Sequence, residues 1–156
     1  MKKFCILLLL VFGVQFAQSQ ELVWHTNVKE AIKISEKKKK PMLLFFTGSD
    51  WCGWCIRLQK EVLKTDTFAK WAKENVVLVE LDYPRAIEQT PELKAQNSNL
   101  QMAFSIQGFP TIHFANAVKA ADGKVNFQGL GSTGYVAGGP EAWLAVATKI
   151  LDKKKR

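Results

Sequence analysis

The sequence is short of cysteine, with three in 156 residues. That is too few for a fold built on disulfides, and an odd number leaves one over. Histidine is scarcer still. A zinc site on a cysteine pair would need two more ligands, and only the isolated His25 and His113 are available. No repeat, linker or low-complexity tract interrupts the chain. With 47% of its residues hydrophobic, it has ample material for one core, which excludes disorder and makes two domains improbable at this length. No apolar run approaches the roughly 20 residues that span a bilayer.

What is present begins with an export signal. Met1-Lys2-Lys3 is a short positive start, Phe4 to Val14 is an apolar run, and Ala17-Gln18-Ser19 has the small residues a signal peptidase reads. Residues 1–19 read as a signal peptide, with cleavage after Ser19 and the mature chain running over 20–156. Cys5 lies inside the apolar run and leaves with it. The net charge of +8 then falls to +6 with the loss of Lys2 and Lys3. The two remaining cysteines, Cys52 and Cys55, would sit in a periplasmic or extracellular compartment where thiols can oxidise.

The mature chain alternates helices and strands. Asn27-Val28-Lys29-Glu30 has the form of a capping box, and the apolar stripe of Val28, Ala31 and Ile32 predicts a helix to about Lys39, stopped by Pro41. Lys37 to Lys40 suit the negative end of that helix and are read that way rather than as a nucleic-acid or membrane patch. A continuous apolar run at Pro41–Thr47 predicts a central strand buried on both faces, and Val76–Asp82 reads as a second buried strand. Helices are expected over Thr65–Glu74, from Thr90-Pro91 to about Phe104, and from Gly138-Gly139 through Leu151. Thr111–Ala115 and Lys124–Phe127, joined through Asp122-Gly123, predict a hairpin. The pattern is α/β: a central mixed sheet, helices on both faces, and an antiparallel edge.

Cys52-Gly53-Trp54-Cys55 falls where the first buried strand ends and a helix begins. Free N–H groups and the positive end of the helix dipole stabilise a thiolate there, and thiol pKa values at such positions fall to about 3.5–7.5. The second cysteine, one turn on, can resolve a mixed disulfide. A purely structural disulfide would close a tiny loop and stabilise little.

Here the sequence resembles the thioredoxin superfamily, and within it exported proteins with a Gly-Ser-Asp-Trp-Cys-Gly-Trp-Cys block, found here at Gly48 to Cys55. It is similar, too, to the C-terminal reductase domain of membrane electron-transfer proteins. Gly108-Phe109-Pro110-Thr111 matches the family's second motif. The resemblance implies a three-layer thioredoxin-like fold in a monomeric domain. Its only redox group would be the Cys52–Cys55 pair, with no cofactor and no metal. Cys52 would attack and Cys55 resolve, the Phe109–Pro110 bond would be cis, and Pro110 would be buried against the motif loop. Trp51, Gly53, Trp54, Phe109, Pro110 and Thr111 would form the substrate-facing surface. The implied activity is reduction or isomerisation of disulfides in exported proteins, fed by a separate redox donor. The alternative is a peptide- or partner-binding module whose disulfide never cycles. Two features depart from the family. The buried Asp under the cysteines is replaced by Phe46, which leaves Glu80, Asp82, water or substrate as proton acceptor for Cys55. The central dipeptide is Gly53-Trp54, so the direction of electron flow is open.

Overall fold

A computed structural model describes residues 22–152. The signal segment 1–19 with Cys5, and the tail Lys153–Arg156, lie outside the described residues. In chain order the elements are β1 (Trp24–His25), α1 (Val28–Lys38), β2 (Met42–Thr47), α2 (Gly53–Leu58), α3 (Asp66–Asn75), β3 (Val77–Asp82), α4 (Pro91–Ala103), β4 (Thr111–Lys119), β5 (Val125–Thr133) and α5 (Gly139–Asp152). A π-helical turn, Gln59–Leu63, continues α2 and is closed by a bond from Lys64 N to Gln59 O.

The sheet order is β1-β3-β2-β4-β5. β1 and β2 run parallel to β3, while β4 is antiparallel to both β2 and β5. Central β2 is buried along its whole length, and its side chains alternate between two cores. Leu43 and Phe45 join Leu58, Val62, Phe68 and Trp143 under α2, α3 and α5. Met42, Leu44 and Phe46 join Val28, Ile32 and Leu100 under α1 and α4. Each such side chain, fully buried, contributes about 1.5–3 kcal/mol of transfer free energy. That two-sided demand is why β2 is apolar from Met42 to Phe46 and why β3 is apolar except at the half-buried Glu80 and Asp82.

Local chemistry sets the helix starts. Asn27 Oδ1 accepts from Lys29 N at 3.0 Å, Thr65 Oγ1 from Phe68 N at 3.2 Å, and Thr90 Oγ1 from Leu93 N at 3.3 Å with Pro91 behind it. α1 stops at Lys38, because Lys39 adopts a left-handed conformation and its N–H returns to the last turn.

Two expectations need correction. β1 was not foreseen: two residues carry no periodicity. The hairpin strands are longer than expected, at 9 residues each: β4 runs past Ala115 to Lys119, and β5 runs on through Gly129 and Gly131, residues that weaken a strand pattern. Its pairing with β4 absorbs a register shift at Phe114/Ala115.

Candidate active site

β2 ends at the middle of the sheet, and residues 48–51 carry the chain to α2. Cys52 N and Trp51 N both donate to Gly48 O, at 2.9 and 3.3 Å. A side chain at Gly48 would force the Trp51 indole to move, because a β-carbon there would collide with it. Asp82, at the end of β3, holds the turn: Ser49 N and Ser49 Oγ donate to its two oxygens at 2.8 and 2.6 Å. Asp50 accepts from Ala86 N at 2.6 Å and Arg85 N at 3.0 Å, and these backbone bonds hold its carboxyl below the usual range.

Cys52 and Cys55 form a disulfide. Cys52 is the N-cap of α2, and its Sγ accepts from Cys55 N at 3.2 Å. Cys52 keeps 6% exposure, whereas Cys55 has none and lies in the core cluster that holds Leu43 and Phe45 of β2. The sulfur at the helix N-terminus is therefore the one nearer solvent, and the second is enclosed.

Aromatic rings flank the pair. Trp51 is half-buried, with its indole N–H on Tyr83 O at 2.8 Å and its ring edge-on to Phe109 at 5.7 Å. The Arg85 guanidinium lies 4.0 Å from the Trp51 ring centre. Trp54 is 56% exposed and leans on Tyr135 at 5.2 Å. Arg57 covers both of those rings, at 5.3 and 5.0 Å, and pairs with Glu61 at 2.7 Å. The Tyr135 hydroxyl also donates to Glu61. That bond, and then the guanidinium, hold the Glu61 carboxyl low, and the same bond pushes the Tyr135 phenol up.

Comparison with known proteins now decides the family. Residues 28–132 match the thioredoxin-like domain family. The chain belongs to the thioredoxin-like family. A disulfide bond reductase, DsbH, from Chlamydia pneumoniae is 35% identical over 116 residues, which is 74% of this chain and 69% of that protein. The thioredoxin-related protein DsbJ of the same organism is 36% identical over 92 residues; the match spans 59% of this chain and 26% of DsbJ. The solved DsbH oxidoreductase superposes with a TM-score of 0.73 at 33% identity, covering 85% of each chain. A thioredoxin from Thermus thermophilus, 17% identical, shares the fold at a TM-score of 0.61, over 83% of this chain and 87% of its own. The redox group of this thioredoxin-like chain is the Cys52–Cys55 disulfide, and its activity class is thiol–disulfide oxidoreduction.

The second thioredoxin motif sits at the start of β4. The Phe109–Pro110 bond is cis. Pro110 is half-buried rather than enclosed as expected; it precedes β4 at the sheet's end, where only part of its ring is covered. Phe109 packs against both cores. The Thr111 hydroxyl donates to Gly108 O at 2.7 Å and so braces the turn. Gly53, at the first position of α2, has open space above it.

Phe46 is not beneath the cysteines. By strand alternation it points to the opposite core, against Tyr83, Phe104 and His113. His113 is a packed ring there, and burial pushes its pKa down. Of the two acids weighed for Cys55, Asp82 has both oxygens committed to Ser49. Glu80 pairs with Phe45 in register and so shares the face of the cysteines. It lines a cleft of about 180 Å³ with Phe45, Gln59, Leu63 and Lys64, and Gln59 lies one helical turn beyond Cys55. Burial, helped by the Asp82 charge and opposed by Lys64, raises its pKa. The Arg57–Glu61–Tyr135 group was not foreseen. Arg57 and Glu61 stand four apart on a helix, a visible signal, but Tyr135 joins them from 74 positions away.

Proposed function

We propose that the chain is an exported reductase or isomerase of protein disulfides. Its dithiol form attacks through Cys52 and resolves through Cys55. The observation that carries this is the placement of the pair: Cys52 caps α2 at the mouth and Cys55 is enclosed behind it. The Cys55 N–H that now reaches Cys52 Sγ is available to a Cys52 thiolate, and the helix dipole favours the charge. That thiolate attacks one sulfur of a substrate disulfide and expels the other as a thiolate. Cys55 then loses a proton, attacks Cys52 Sγ, and releases the substrate as a thiol. Glu80 takes the Cys55 proton; a raised pKa brings a carboxylate nearer to neutral pH, where a general base works best.

Substrate docks across Trp54, Phe109 and Pro110 as an extended segment, with the backbone at Phe109 offering strand-type hydrogen bonds. Trp51 supports that surface from behind. The one relative named a disulfide bond reductase, DsbH, favours reduction as the direction, and residues 1–19 carry the export reading. A separate dithiol donor restores the pair after each turnover.

Insulin reduction with a dithiol supply tests the reading. The wild type should reduce insulin and Cys52→Ser should not. A wild type no faster than Cys52→Ser refutes it. Trapping by Cys55→Ser in the compartment of origin should yield mixed disulfides that name the substrates.

A further inference from the structure

Among the described residues, one buried side-chain polar atom has no hydrogen-bond partner: Thr47 Oγ1. Other buried polar groups are served. Ser35 Oγ donates to Lys40 O at 2.5 Å, and Asn97 Nδ2 to Asp82 O at 2.9 Å. Thr47 has no exposure at all, and its backbone is already used, its carbonyl accepting from Tyr83 N at 2.9 Å. A valine would fill the same volume without the cost of an unpaired hydroxyl. An orphaned buried hydroxyl in an otherwise satisfied core marks a position with a role beyond packing, and a redox role is one of the recognised kinds.

Its position points to that state. Leu43 and Phe45 belong to the cluster that contains Cys52 and Cys55, and Thr47 is the next side chain in the same row of β2. It stands at the end of the strand from which the chain turns into α2. Only residues 48–51 separate Thr47 from Cys52, the N-cap of α2, so the first turn of α2, which carries Cys55, starts from the Thr47 end of the strand and not the Leu43 end. Across the antiparallel ladder Phe46 faces Thr111; one step further the partner is Pro110, which has no N–H to offer. The polar groups of the neighbouring strand are also unavailable, since Asp82, opposite Thr47, is occupied by Ser49.

We propose that the Thr47 hydroxyl is the hydrogen-bond partner of Cys55 in the dithiol form and biases the redox equilibrium of the pair towards that form. The inference deepens the function proposed above and rests on a pair that cycles. In the disulfide form Cys55 Sγ has no proton to give. Reduction by a dithiol adds two electrons and two protons across the S–S bond, while that dithiol closes to its own disulfide. Cys55 then carries an S–H that can donate to Thr47 Oγ1. When Cys55 gives up the proton to attack, the hydroxyl turns and donates to the thiolate instead. The orphan is thus confined to the oxidised state.

Thr47→Val and Thr47→Ser test this by equilibration against glutathione buffers, with the reduced fraction read by thiol alkylation and mass. Valine relieves the disulfide form of an unpaired group and deprives the dithiol form of a bond, so both effects act in one direction. The equilibrium constant for reduction should fall about tenfold, a midpoint about 30 mV more negative. Serine should stay within about twofold of the wild type. A valine variant within twofold of wild type, or displaced towards the dithiol, overturns the proposal. The infrared S–H stretch of the wild-type protein, held reduced by excess dithiol, decides without any variant. A band displaced below that of a free thiol supports the bond, and a free-thiol band refutes it. Neither readout needs turnover. A protein that gives these results but fails to reduce insulin refutes the function and leaves this inference standing.

Discussion

Replacing Asp82 by alanine removes the two acceptors that hold Ser49. Both bonds are charge-assisted and short, at 2.8 and 2.6 Å, a class worth about 1.5–3 kcal/mol each in favourable settings. Ser49 and Asp82 are half-buried, so water can replace part of what is lost, and two bonds to one residue are not independent. The net cost should be about 2–3 kcal/mol. For a domain of this size that lowers Tm by about 10 °C. Asp82→Asn keeps an acceptor for Ser49 N and a donor for Ser49 Oγ, so it should lose only the charge contribution, about 1 kcal/mol. The bonds that Asn97 and Gln89 make go to the Asp82 carbonyl and survive both changes. Because the turn from Gly48 to Cys52 aims the first cysteine, insulin reduction should fall more for alanine than the lost stability explains at a temperature where the variant is folded. Calorimetry on the oxidised protein, with activity measured 20 °C or so below each Tm, gives both numbers. Alanine costing under about 0.5 kcal/mol, or asparagine costing nothing, refutes the role of the carboxylate as the turn's anchor.

Glu80→Gln should separate stability from turnover. Burial raises the folded pKa of Glu80 above its unfolded value, so the folded state holds the proton more tightly and stability falls as pH rises from the unfolded value through the folded one. The glutamine variant should therefore match the wild type at pH below that window and be more stable above it, in denaturant titrations across pH. Its release of substrate from the mixed disulfide should slow about a hundredfold at neutral pH by stopped-flow; an unchanged rate refutes Glu80 as the proton acceptor. Gly48→Ala should cost about 1–3 kcal/mol, because the Trp51 indole must leave its bond to Tyr83 O to make room; an unshifted Tm would show that the turn is slack. Trp54→Ala, at an exposed site, should leave Tm within a few degrees and raise KM for a protein substrate about five- to tenfold, with little change for a small disulfide. Equal effects on both substrates would remove Trp54 from the docking surface.

The parts of the fold that were legible are those where one physical demand dominates a whole segment. Met42 to Phe46 is buried on both faces, and only apolar residues fill it; Val77 to Leu81 follows the same demand except at the half-buried Glu80. Thr90-Pro91 starts a helix because cap and ring act locally. The cysteine pair was legible because its chemistry needs a strand end and a helix start, both visible beside it. What escaped depends on partners distant in sequence. The second half of β5 is held by its ladder to β4, and its glycines conceal it. Tyr135 is an ordinary tyrosine until Glu61 meets it. Asp82 looked free to accept a proton, and only the folded turn shows Ser49 occupying it. The family resemblance puts Phe46 at the position of the buried Asp beneath the cysteines; the parity of the strand sends its ring to the other core.

The antiparallel docking of β4 beside β2 also has a consequence for synthesis. The ribosome makes the chain from the N-terminus, so Cys52 and Cys55 emerge well before Phe109 and Pro110. β2 and β3 can pair in parallel at once, and α2 can form over them. The segment that shapes the mouth arrives only with β4. For that interval the nascent protein exposes the thiol pair with only Trp51 and Trp54 beside it and without the Phe109–Pro110 part of the docking surface. Any machinery that carries the chain must shield two open sulfurs until the last third has been delivered.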